Sequence, residues 1–181
     1  MKKILPALLA LLLFSCGPAD DWISRRYPNR RFFFFQQEHP TSQLFSIFTA
    51  SNYSYYYVYS ATVGGVRHIY VQSSNSAAPP EDHPITTDRE RNAPFLMGAT
   101  NETGLIIGLS NFNGPLAYDR ICPNCSGYQP LRWASVATHV TCPKCQREYD
   151  LETGAVIAGE GGEHLMRYGI SYDGTKIYVG N

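Results

Sequence analysis

Four cysteines stand as Cys122-Pro123-Asn124-Cys125 and Cys142-Pro143-Lys144-Cys145, with sixteen residues between the pairs. A CxxC turn brings two thiolates to bonding distance of one ion, and two such knuckles supply all four ligands of a closed tetrahedral centre. A closed centre leaves no position for an activated water, so the expected role is structural or redox and not hydrolytic. In an oxidising compartment the same four thiols could form two disulfides. The paired-knuckle spacing favours a metal.

Other residues near the knuckles can act on such a centre only through its sulfurs. His139, three residues before Cys142, is a candidate hydrogen-bond donor to a thiolate. Lys144 and Arg147 flank the second knuckle, where positive charge would offset four thiolates, formally dianionic with Zn²⁺. His39, His68, His83 and His164 are scattered, and their spacing suggests no second site. The chain has no GxSxG, no HExxH, no Walker loop and no Rossmann fingerprint, so no catalytic residue is expected.

The fifth cysteine belongs to a different chemistry. Met1-Lys2-Lys3, an apolar run from Ile4 to Phe14 and Ser15 before Cys16 form the n-region, h-region and cleavage site of a secretory signal. The run is too short to span a bilayer. Leu13-Phe14-Ser15-Cys16 resembles the lipobox of bacterial lipoproteins. That resemblance implies cleavage after residue 15, acylation of Cys16, and a chain held on a membrane by lipid with its fold in water. Residues 1–15 are then a lipoprotein signal peptide and 16–31 an anchor and tether. The acidic Gly17-Pro18-Ala19-Asp20-Asp21 stretch resembles tethers that direct sorting to the outer membrane or cell surface, and reads equally as a linker that keeps the domain clear of lipid. The expected location is the bacterial cell envelope, with an envelope or redox protein as a further partner.

Loss of Lys2 and Lys3 leaves 13 basic against 15 acidic side chains, which gives no nucleic-acid footprint. Arg25, Arg26, Arg30 and Arg31 cluster beside the anchor, where they form a solvated approach segment or touch anionic head groups. Residues 32–181 are one domain's worth of chain.

The elements that must position the knuckles read as strands. Short runs of Tyr, Phe, Ile, Val and Thr are punctuated by Gly, Pro, Asn and Asp, and no long helical period appears, so the fold class is all-β. Phe32 to Gln37 reads as a buried strand, and Ser42 to Ala50 as a short helix or irregular segment. Tyr53, Tyr55, Tyr57 and Tyr59 alternate, which puts four rings on one face. Their expected role is cross-strand packing with the hydroxyls at the solvent edge; the functional alternative is an aromatic platform for a sugar or another flat ligand. Val66 to Gln72, entered through Gly64-Gly65, pairs with that strand as a hairpin. Ser73 to Asn92 has the composition of a long exposed loop. Leu105 to Leu109 and Leu116 to Tyr118 flank Asn113-Gly114 and feed the first knuckle. The second leads into Arg147 to Leu151, Ala155 to Ala158, Leu165 to Tyr172 and Ile177 to Val179, a meander to the C-terminus.

Ala117-Tyr118-Asp119-Arg120-Ile121-Cys122-Pro123, together with the segment CPKCQREYDLETGAVIAGEGGEHLMRYGISYDGTKIYV, resembles a Rieske domain over roughly 103–179. The resemblance implies an antiparallel β barrel or sandwich with a rubredoxin-like or zinc-ribbon-like metal subdomain. It also implies a loop covering the metal and aromatics beside it, at Tyr118 and Tyr149. Rieske loops carry Cys-x-His and Cys-x-x-His, whereas both histidine positions are cysteine in this chain, at Cys125 and Cys145. Histidine ligation is what raises a Rieske potential, so its loss removes that expectation. Zinc ranks first because paired CxxC knuckles are its most frequent setting. A rubredoxin-like iron or a four-cysteine [2Fe–2S] cluster, serving an electron carrier or oxidoreductase subunit, is the alternative, and dithiol–disulfide exchange is a weaker third.

Overall fold

The computed structural model describes residues 23–49 and 54–181. The expected signal, Cys16, Ala50 and Tyr53 lie outside them. An eight-stranded antiparallel sheet holds most of the strand residues, in the order β1-β12-β11-β6-β5-β2-β3-β4. Its strands are β1 (Arg31–Phe35), β2 (Tyr55–Val63), β3 (Val66–Ser73), β4 (Glu81–Pro84), β5 (Leu105–Ser110), β6 (Gly114–Asp119), β11 (Arg167–Tyr172) and β12 (Lys176–Gly180). A four-stranded sheet, in the order β10-β9-β8-β7, is inserted between β6 and β11. It comprises β7 (Arg132–Trp133), β8 (His139–Thr141), β9 (Glu148–Asp150) and β10 (Val156–Ala158). Among the described residues, helix is confined to a 3₁₀ turn (Gln43–Phe45) running into α1 (Ser46–Thr49), and α2 (Asp88–Asn92). Among the described residues no helix is long and apolar enough to cross a membrane.

The large sheet curls until its outermost strands meet. Phe34 of β1 approaches His83 of β4 edge-on at 5.3 Å between ring centroids, and Arg31 bridges to Leu96. Alternate side chains then converge inside the curl: Phe32 and Phe34, Tyr56 and Val58, Ile69 and Val71, Leu105 and Ile107, Ile177 and Val179. The intervening residues of β2, β5 and β6, namely Tyr55, Tyr57, Ile106, Leu116 and Tyr118, point the other way and are covered by the inserted sheet. With both faces buried, β2 and β5 read as unbroken apolar or aromatic runs and not as a half-polar alternation. Each Ile or Leu so buried contributes about 1.5–3 kcal/mol.

This second layer decides the fate of the tyrosines. Tyr55 and Tyr57 are fully buried, so the aromatic-platform alternative does not hold for them, and their hydroxyls are not at a solvent edge either. The Tyr57 ring lies parallel to the Trp133 indole of β7, with centroids 3.6 Å apart, and carries the Arg120 guanidinium 4.0 Å from its centre. Tyr55 lies across Gly108, its partner in register on β5, where any Cβ would strike the ring. Among the described residues, Tyr59 stacks on its cross-strand neighbour Tyr70 at 5.3 Å, as expected of cross-strand packing.

Two further expectations are corrected. The Ser73 to Asn92 segment is not one exposed loop, because Glu81 to Pro84 pairs with β3 and Thr87 caps α2 in a capping box with Glu90. Its charged residues mislead because they are consumed internally: Glu90 is buried against His39 (Nε2 to Oε1, 2.6 Å), and Glu81 accepts from Ser42 (2.7 Å) and His83 (2.9 Å). Nor is the C-terminal run a single meander. β9 and β10 belong to the small sheet and β11 and β12 to the large one, with the glycine-rich 159–162 stretch crossing between them.

Candidate metal centre

β6 delivers the first knuckle. Its last residue, Asp119, is fully buried, accepts from the Tyr168 hydroxyl (2.8 Å) and from the Ile121 amide (3.1 Å), and so fixes the exit of the chain toward Cys122. The Cys122 amide then donates to Gln129 O (2.9 Å) while Ile121 bridges Pro130, which folds the 122–130 segment back as a loop. The second knuckle is the turn between β8 and β9. Gln146 N donates to Cys142 O and Cys142 N to Arg147 O, both at 2.9 Å, and Gln146 takes a left-handed φ of 59° to make that turn.

The two loops bring all four sulfurs within 4.8 Å of one another, as the spacing predicts. Cys122 Sγ lies 3.7 Å from Cys145 Sγ, and Cys125 Sγ 3.7 Å from Cys142 Sγ. These are free thiols, and 3.7 Å is far beyond a sulfur–sulfur bond. A metal–sulfur bond of about 2.3 Å in a regular tetrahedron sets sulfur–sulfur edges of about 3.8 Å, so the donors fit one ion. Cys122 and Cys142 are buried against Leu131, Val140 and Leu151, whereas Cys125 and Cys145 are half-buried.

Hydrogen-bond donors around the thiolates complete the site. The Tyr149 hydroxyl lies 3.2 Å from Cys122 Sγ and accepts from Asn124 Nδ2 (3.0 Å), which leaves its own proton for the sulfur. Asn124 also donates to Glu163 O (2.8 Å) and accepts from Glu163 N (2.8 Å), so the knuckle holds the covering stretch by its backbone. Gly162 packs against that amide, where a Cβ would collide. Arg147 is held by Glu160 O (2.7 Å), Glu160 Oε2 (3.0 Å) and Gly161 O (3.2 Å). Burial opposes ionisation of Cys145, but hydrogen bonds from the Arg147 backbone and side chain outweigh it and bring the thiol down to about 6. Burial and the neighbouring thiols push Cys125 up to about 12. Burial likewise raises Cys122, against the Tyr149 hydrogen bond. Four thiols this close do not ionise together without a cation, which is the electrostatic case for one.

The residues singled out from sequence separate into two groups. Tyr149 and Arg147 sit at the sulfurs. Lys144 spans the two knuckles by donating to Ser126 O (3.3 Å). Tyr118 is buried beneath the centre against Gly154, and His139 is held by Glu148 on the neighbouring strand (2.8 Å) and not by a thiolate. Sequence reasoning passed over Asn124, whose place inside the CPNC turn was its one signal, and Arg26, which donates to Pro123 O (2.8 Å) from 97 residues away. It also passed over the meeting of His39 and His83, whose rings lie 4.7 Å apart at the mouth of the curled sheet, each paired with a glutamate.

Compared with known proteins, the chain matches no family model, no curated protein and no solved structure.

Proposed function

We propose that Cys122, Cys125, Cys142 and Cys145 hold one Zn²⁺ as a structural centre. In this reading the chain is a cell-envelope lipoprotein, anchored through Cys16 at the outer membrane, with a Rieske-like domain in which a zinc site replaces the iron–sulfur cluster. The carrying observation is the compactness of the donor set: sulfur–sulfur edges of 3.7 Å across the knuckles and all four sulfurs within 4.8 Å. A two-iron cluster distributes its four thiolates over two separated metals, which demands a more extended set. When bound, the ion supplies cross-linking of the β6–β7 loop to the β8–β9 turn, which the strands β7 to β10, two or three residues each, need for stability.

A single iron in the same tetrahedron is the second reading, favoured by the half-exposure of Cys125 and Cys145, which would bring an electron to the surface. Elemental analysis of protein purified without oxygen, with an absorption spectrum and an acid-labile sulfide assay, tests both. One zinc per chain in a colourless protein is the expected result. Iron without labile sulfide would replace the zinc reading with a rubredoxin-like electron carrier, and iron with sulfide would refute the single-ion geometry.

A further inference from the structure

The segment leaving the proposed anchor does not hang free of the metal centre. Ile23 bridges Arg167 at the start of β11, and Ser24 N donates to Arg167 O (2.7 Å). Three residues on, Arg26 grips the first knuckle through Pro123 O (2.8 Å), and the Tyr27 ring lies 6.4 Å from that of Tyr128, on the same loop as Cys125. The chain therefore reaches the globular body beside the knuckles. Arg167 pairs with Tyr118, and Asp119 pairs with Leu105, so this is the end of β5 and β6 that feeds Cys122. Their other end, where Ser110 pairs with Gly114, carries Phe112, which is 89% exposed. Six-residue strands separate the two ends by about 20 Å.

We infer that the knuckle-bearing end faces the lipid surface, so that the centre sits next to the bilayer and not on the far side of the domain. The inference rests on the acylation of Cys16 proposed above. Seven Cα-to-Cα steps join Cys16 to Ile23, and covalent geometry limits their span to about 25 Å. Because Ile23 already sits at the knuckle end, that end lies nearest the anchor, whereas presenting the Phe112 end about 20 Å further on would use most of a fully extended tether.

The surface at the knuckle end suits that partner. Tyr128 is 58% exposed and Ile23 42% exposed, an aromatic and an aliphatic side chain of the kind that enter a membrane interface. Ile23, Arg25, Pro28, Asn29 and Asn181 line a shallow cleft of about 360 Å³ beside the entering chain. Two carboxylates beside the knuckles are paired, Glu163 with Arg26 (3.5 Å) and Glu160 with Arg147 (3.0 Å), which offsets their charge.

Photocrosslinking tests this with the full-length acylated chain in vesicles of phosphatidylcholine and phosphatidylglycerol. Benzoylphenylalanine is placed at Tyr128 in one protein and at Phe112 in another, both exposed aromatic positions that accept the larger ring. Flotation reports anchoring, and lipid adducts report orientation. The expected result is co-flotation of both proteins with at least a tenfold higher lipid-adduct yield at position 128. Co-flotation with equal yields, or a higher yield at 112, would overturn the orientation while leaving the anchor intact. Failure to acylate or float would overturn the anchor reading, and the orientation with it.

Discussion

Glu152 offers the sharpest test of how the metal subdomain is fastened to the large sheet. It lies just past β9, and its carboxylate accepts from the Tyr55 hydroxyl (3.0 Å), the Ser110 hydroxyl (2.7 Å), the Asn111 amide (2.8 Å) and Asn111 Nδ2 (3.2 Å). Tyr55 is fully buried and Ser110 nearly so, so Glu152→Ala strands two buried hydroxyls that water reaches poorly. An orphaned buried donor costs about 1–3 kcal/mol. Asn111 is exposed and can turn to solvent, so it adds little. The variant should therefore lose about 3 kcal/mol, read as a lower midpoint in urea unfolding of metal-loaded protein. Tyr55→Phe alone should cost about 1 kcal/mol, since it removes one donor from an acceptor that solvent can still reach. If the orphaned Tyr55 hydroxyl is the main penalty, the double variant should be no less stable than Glu152→Ala, with a coupling of at least about 1 kcal/mol. Additive costs, or a loss below about 0.5 kcal/mol for Glu152→Ala, would refute the argument.

Three other outcomes follow from the site. Tyr149→Phe keeps the ring and removes the proton aimed at Cys122, so metal affinity measured by chelator competition should fall about tenfold with the fold retained. At Gln146, where φ is 59°, glycine should be neutral within about 0.5 kcal/mol, whereas valine should cost about 1–2 kcal/mol in thermal unfolding. Burial raises Asp119 to about 6, against the Tyr168 hydroxyl and the Ile121 and Ala99 amides that favour its charge. The folded state thus holds that proton more tightly than the unfolded chain, so this group's stabilisation is full below about pH 4 and is lost as pH rises to about 6, an effect of about 3 kcal/mol. The difference in unfolding free energy between the native protein and Asp119→Asn should slope across that window and flatten above it; a flat difference throughout would contradict the burial argument.

The sequence by itself determined the two central hairpins and the four-cysteine cluster. The alternating and unbroken apolar runs around Tyr55, Val66 and Leu105, cut by Gly64-Gly65 and Asn113-Gly114, predict the β2–β3 and β5–β6 hairpins that form. The CxxC spacing predicts the four-sulfur cluster, because each knuckle is a local turn whose geometry the intervening residues enforce. Tertiary structure decided everything that depends on which surfaces meet. The same period of two describes an exposed tyrosine ladder and a buried one, and only the inserted sheet laid over β2, with Trp133 on Tyr57, makes it buried. Charged residues between Ser73 and Asn92 signal solvent until His39 and Ser42 supply their partners from across the sheet. Arg26 had no local signal as a support of the centre and Asn124 only its place inside the CPNC turn, since hydrogen bonds across 97 and 39 positions exist only once the fold has brought their partners together.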